Sequence, residues 1–146
     1  MERPLGVTIL AAGMIFAGLA SAASGVLIFF AGSRGATAAA PDSGAVAAFF
    51  AALGAAGGIL ALAFGALHVL LAIGIYQLRR LARILTIILF LLIAVGACLG
   101  LAAALLSRSH VALLWNVSIL AVDLLALWYL VGAETKEVFS RAARGV

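Results

Sequence analysis

Charge is scarce in this chain. Only 10% of its 146 residues are Asp, Glu, Lys or Arg, against about 25% in a typical soluble domain. With 67% hydrophobic residues and a mean hydropathy of +1.33, a water-soluble single domain and a disordered chain are both excluded. Cysteine is nearly absent. Cys98 stands alone, so there is no internal disulfide, no Cys-x-x-Cys redox pair and no thiolate zinc cage. Proline occurs only twice, too seldom to interrupt long helices. Catalytic signatures are missing too. There is no HExxH, GxSxG, Walker loop or paired carboxylate, and no Ser/His/Asp set in plausible order. The expectation is a protein that is not an enzyme and holds no metal or cofactor.

What the chain has instead is long apolar runs. Leu5 to Gly32 carries no charge over 28 residues, and Ile84 to Leu106 none over 23. Gly44 to Gln77 is broken only by the titratable His68, and Val111 to Ala133 only by Asp123. At about 1.5 Å rise per residue, about 20 residues cross the roughly 30 Å hydrocarbon core. Transmembrane strands would alternate apolar and polar residues, and no such alternation occurs. The sequence therefore predicts an all-α integral membrane protein: an up-down four-helix bundle in a single transmembrane domain. The expected spans are residues 5–32, 45–76, 84–106 and 111–132. The first run resembles a signal peptide in its Ala20-Ser21-Ala22, but the apolar stretch continues through Phe30, so an uncleaved span is expected.

Orientation follows from the basic residues. Arg3, Arg79, Arg80, Arg83, Lys136, Arg141 and Arg144 fall on one side of the four spans, Arg34 and Arg108 on the other. Positive loops stay cytoplasmic, so both termini are expected there, with residues 33–43 and 107–110 outside. The net charge is +4. Because the cations flank the spans, anionic lipid head groups are their expected partner, and nucleic acid is not. Arg79, Arg80 and Arg83 lie in the middle loop as head-group contacts. Tyr76, Trp128 and Tyr129 fit an aromatic belt at the inner boundary, and Trp115 lies near the outer one. Pro41-Asp42-Ser43 marks a turn in which Asp42 or Ser43 caps the second helix. The tail predicts a surface helix, with Glu137 and Arg141 paired one turn apart and Val138, Phe139 and Ala142 on the interface.

Helices in lipid associate through small residues. Gly13, Ala17, Ser21 and Gly25 repeat every four residues in the first helix. Gly54 and Gly58, and also Gly57, Ala61 and Gly65, do so in the second, and Gly96, Gly100 and Ala104 in the third. These small faces predict close contacts within the chain or between chains, as in a homo-oligomer or a larger membrane complex. Cys98 is expected among the packing residues.

The fourth helix carries a polar stripe. Ala112, Asn116, Ile119, Asp123, Ala126 and Leu130 follow a 4-3-4-3-4 spacing and share one face. Facing lipid would strand the Asp and Asn side chains. The stripe is therefore expected to face protein, with Asn116 as an interhelical hydrogen-bond donor. Asp123 lies near mid-span, and His68 about one turn deeper. Three readings arise. Asp123, Asn116 and His68 form a buried polar clamp, they line an ion or proton path, or His68 ligates a haem or chlorophyll-type metal. His110 lies too far outside to be its second ligand.

Arg3-Pro4-Leu5-Gly6-Val7-Thr8, Arg79-Arg80-Leu81-Ala82-Arg83, and Asn116…Leu127-Trp128-Tyr129-Leu130…Lys136-Glu137-Val138-Phe139 together resemble small uncharacterised four-span membrane proteins of bacteria and archaea. Members commonly have Trp-Ala-Arg in the middle loop, where this chain has Leu81. The resemblance implies the same topology and a prokaryotic cytoplasmic membrane, and it implies no activity. The leading expectation is a structural or accessory subunit. The alternatives are a small transporter or channel around Asp123, or a cofactor-holding subunit.

Overall fold

The computed structural model describes residues 4–38 and 44–144. Five helices appear in chain order: α1 Leu5–Ala38, α2 Gly44–Tyr76, α3 Arg80–Leu106, α4 His110–Val131 and α5 Ala133–Arg144. No strand occurs among the described residues. The all-α fold predicted above is the fold observed. Four helices are long and apolar enough to cross a bilayer, over Leu5–Ala31, Ala52–Tyr76, Arg80–Leu106 and His110–Val131. The chain is thus a multi-pass membrane protein. Its outward side chains agree: Leu106, Trp128 and Phe16 are 88%, 79% and 77% exposed, a surface that only lipid or protein covers at low cost.

Helix ends differ from expectation in three places. α1 continues through residues 33–38, expected as loop, because nothing before Pro41 forbids helix. The expected Asp42 or Ser43 cap lies outside the described residues. α3 begins at Arg80, so Arg80 and Arg83 are helical. Only residues 77–79 form the connection, since arginine is a good helix former. Likewise His110 opens α4 and is not loop.

Both short connections use the same device. After α2, Leu78 N–H donates to the Ile75 carbonyl and Arg79 N–H to the Gly74 carbonyl, each at 2.9 Å. After α3, Arg108 N–H donates to Leu105 at 3.3 Å and Ser109 N–H to Ala104 at 3.1 Å. This paired pattern is the Schellman helix stop, which places one residue in the left-handed region. Here Leu78 (φ 57°) and Arg108 (φ 52°) occupy it instead of glycine. Ser109 then caps α4, accepting from Ala112 N–H at 3.3 Å. Three residues suffice to reverse the chain after α3, so α3 and α4 run antiparallel against each other.

The described residues form two compact units. One is Ala11–Ala72; the other joins Met1–Leu10 to Ile73–Val146. In the first, α1 and α2 meet backbone to backbone. A Cβ on Gly18 would sit 2.8 Å from the Gly65 carbonyl oxygen, and one on Gly65 would sit 2.5 Å from that of Gly18. Gly25 and Gly58 repeat the arrangement at 2.8 and 2.7 Å. Between the two pairs, Ser21 Oγ donates to the Ala61 carbonyl at 3.0 Å. Glycine is required here because any side chain would force the helices apart.

Within this unit the contact line uses Ser21, Gly25, Gly58 and Gly65 of the expected small-residue faces and adds Gly18. Gly18 and Gly25 lie seven residues apart, as do Gly58 and Gly65. Residues four apart drift about 40° round a helix at each step, whereas seven apart return to within about 20°. Gly13 and Ala17 therefore turn away. Ala17 is exposed, and a Cβ on Gly13 would meet no described atom within 4 Å. Gly57 and Gly96 are equally open. Cys98 is exposed within the chain as well.

In the second unit α5 packs against α3 and α4. Val7, Ile75, Thr86, Leu130 and Phe139, the largest fully buried side chains among the described residues, all belong to it. Gly6 faces the Tyr129 ring so closely that a Cβ there would lie 2.6 Å from its atoms. This contact leaves the Tyr129 ring half-buried. Tyr76, Trp115 and Trp128 remain exposed.

Candidate functional site

The sheltered face of α4 is the stripe read from the sequence. Ala112, Asn116 and Ile119 are half-buried, and Asp123, Ala126 and Leu130 are buried. The cause is the 4-3 spacing, which holds six side chains on one side of the helix. Val122, Leu124 and Leu125, on the other sides, are exposed. Asp123 is 5% exposed, in a helix whose neighbouring residues are almost all apolar.

Asn116 behaves otherwise than expected. Its Nδ2 donates to the Ala112 carbonyl of its own helix at 2.8 Å, not to another helix. Its Oδ1 lies against Gly100 of α3, in the space a side chain there would fill. Asn116 is thus a packing residue whose amide is satisfied locally. The same economy recurs along the spans. Ser118 Oγ donates to the Leu114 carbonyl at 2.9 Å. His68 Nδ1 lies 2.9 Å from the Phe64 carbonyl oxygen. A polar side chain in lipid has few partners other than the carbonyl one turn earlier.

His68 is 6% exposed and belongs to the Ala11–Ala72 unit, whereas Asp123 belongs to the other. A carbonyl only accepts, so His68 carries its proton on Nδ1, and in the neutral ring the lone pair falls on Nε2. The Phe64 ring flanks the imidazole, with centroids 4.8 Å apart. This tautomer is the one a metal-ligating histidine adopts. Among the described residues, however, no group of three His, Cys, Asp or Glu side chains is placed to hold a metal ion.

The basic segment is redistributed. Arg79 and Arg80 are exposed, positions open to head groups. Arg83 is half-buried, and its Nε donates to the Leu130 carbonyl of α4 at 2.8 Å. That carbonyl lies at a helix end where no backbone N–H follows to bond it. Arg83 is therefore a cap across two helices, with its cation at the negative end of the α4 dipole. Phe139, expected on the membrane interface, is 1% exposed and packs into protein. The expected pairing of Glu137 with Arg141 is present on the exposed face of α5.

No family model, curated protein or solved structure matches this chain.

One residue escaped the sequence reading. Thr86 is 0% exposed, and its Oγ1 has no hydrogen-bond partner among the described residues. Its only signal was position: Ala82, Thr86 and Leu89 follow the 4-3 spacing of the buried α3 face. At the other end of α4, an open hollow of about 570 Å³ is lined by Ser109, Trp115, Asn116 and Ser118 with apolar neighbours. The hydroxyls and the amide that line it already bond the α4 backbone, so it offers little to orient a ligand.

Proposed function

We propose that this chain is a non-enzymatic integral membrane protein, a structural or accessory subunit of a homo-oligomer or of a larger membrane complex. One observation carries the reading. The polar side chains Ser21, His68, Asn116 and Ser118 are all turned onto backbone carbonyls. A conducting path needs such groups free to exchange partners with ions or water. Groups bonded to backbone carbonyls, of their own helix or of its neighbour, instead serve packing. The sites where the proposed partners meet the chain are the apolar outer faces of the helices and the exposed Arg79 and Arg80. The protein sits in a prokaryotic cytoplasmic membrane, with the Arg79 side cytoplasmic among anionic head groups.

Mild solubilisation followed by native mass measurement tests this. The expected result is a defined oligomer or a co-purifying membrane subunit. A strictly monomeric, partner-free protein overturns it. A second reading rests on Asp123, a carboxylate buried at mid-span, which in a membrane is by default a functional group. Its test is proton-coupled flux in liposomes, expected to fall with Asp123→Asn. Unchanged flux removes Asp123 from any mechanism.

A further inference from the structure

Arg83 uses only part of its donor set. Its Nε donates to the Leu130 carbonyl at 2.8 Å, which leaves the two terminal amino groups of the guanidinium fork. Among the described residues no acid pairs with it, and Glu137 is taken by Arg141. Arg80, three residues earlier in α3, presents a second positive charge to it. Arg79 adds a third at the N-cap, and the first turn of α3 holds no acid. These cations crowd the end of α3 whose dipole is already positive. A half-buried guanidinium among like charges is costly unless an anion meets it. From Arg80 toward mid-span, the same side of the helix is apolar. Ile84, Ile88 and Leu91 follow at 4-4-3 spacing, and all three are exposed. A small soluble anion has no use for that track, whereas an acyl chain does.

We propose that Arg80 and Arg83 form a defined site for one anionic phospholipid, whose head-group phosphate takes both guanidiniums while an acyl chain lies along Ile84, Ile88 and Leu91. This rests on the head-group contact proposed above and sharpens it from a diffuse attraction to a single seat. The chemistry fits. The free oxygens of a phosphate accept two N–H groups of one guanidinium side by side, a geometry that lysine does not offer. Arg83 is already held in place by its bond to Leu130, so it loses little freedom when the phosphate arrives. Basic clusters at the ends of spans are where membrane proteins hold such head groups.

The test is native mass measurement of the delipidated full chain in mild detergent, titrated with phosphatidylglycerol, phosphatidylcholine or inorganic phosphate. One phosphatidylglycerol per chain is expected to bind about tenfold more tightly than phosphatidylcholine. Arg80→Met and Arg83→Lys are each expected to weaken it by about tenfold, the size of one charge-assisted bond, although the second keeps the net charge. Arg80 is exposed, so its variant spares the fold even where Arg83→Lys does not. Lys136→Met removes an exposed charge on α5 and is expected to change binding by less than about twofold. Equal weakening by Lys136→Met would mean a diffuse field and overturn a defined site, as would undiminished binding by Arg80→Met. Full binding by Arg83→Lys would overturn the role of the guanidinium fork. No preference for phosphatidylglycerol over phosphatidylcholine would overturn the head-group contact itself. Displacement of the lipid by equimolar inorganic phosphate would overturn the lipid as occupant and assign the site to a soluble anion.

Discussion

Single residues in this protein are constrained by what lipid denies them. A hydroxyl in water loses little when its partner is removed. A buried one bears the full desolvation cost, about 1–3 kcal/mol. Thr86 Oγ1 is such a group. Thr86→Val keeps the shape and removes the orphan, so it is expected to leave stability unchanged or raise it by about 1 kcal/mol. Thermal unfolding in detergent reads this, and a clear drop would show that Thr86 has a partner in the intact membrane. The left-handed positions behave differently from each other. A non-glycine residue there carries about 1–2 kcal/mol of strain. Arg108 is exposed, so Arg108→Gly should stabilise by about 1 kcal/mol. Leu78 is buried, and Leu78→Gly should destabilise, because the lost burial of about 2 kcal/mol exceeds the relieved strain. Stabilisation by both changes would refute the burial argument.

At the scale of helices, glycine has two opposite meanings. Where backbones touch, as at Gly18, Gly25, Gly58 and Gly65, an added methyl wedges the pair open. Where nothing lies nearby, as at Gly13, it only removes unfolded-state freedom. Gly65→Ala is therefore expected to cost about 1–3 kcal/mol, while Gly13→Ala gains about 0.5–1 kcal/mol. Comparing the two by the same melting assay is decisive, since a four-residue contact line would make both harmful. The small-residue content was legible in the sequence, but that Asn116 fills the space beside Gly100 was not. Nor was the line through Gly18. Four-residue and seven-residue repeats coexist in so glycine-rich a chain, and only the crossing geometry selects between them. Helix caps were partly hidden for a related reason. The sequence around Leu78 lacks the glycine that normally announces a Schellman stop.

For the whole molecule, the membrane crossing number sets which ends share a side. With the four spans described, the segment after α4 lies on the same side as the α2–α3 connection, and the α3–α4 connection lies opposite. A membrane-impermeant maleimide applied to intact cells is expected to label Arg108→Cys and spare Lys136→Cys in a Cys98→Ala background. Labelling of Lys136→Cys alone would invert the proposed orientation. The polar stripe of α4 was legible at this scale because a carboxylate has no stable place facing hydrocarbon, and Asp123 is indeed buried. Its chemistry was not legible, because a lone acid without a matching motif fits a clamp and a transport site equally.

Composition and run length alone determined that the chain crosses a bilayer as helices. Apolar stretches of about 20 residues or more admit no other arrangement that satisfies the backbone in lipid. Spacing alone fixed the sheltered side of α4. Only the tertiary structure decided that Arg83 seals a helix end, that Asn116 bonds its own helix, and that Phe139 turns into protein. Each depends on which carbonyl, gap or face a neighbouring helix brings within reach, and a one-dimensional pattern does not encode that distance.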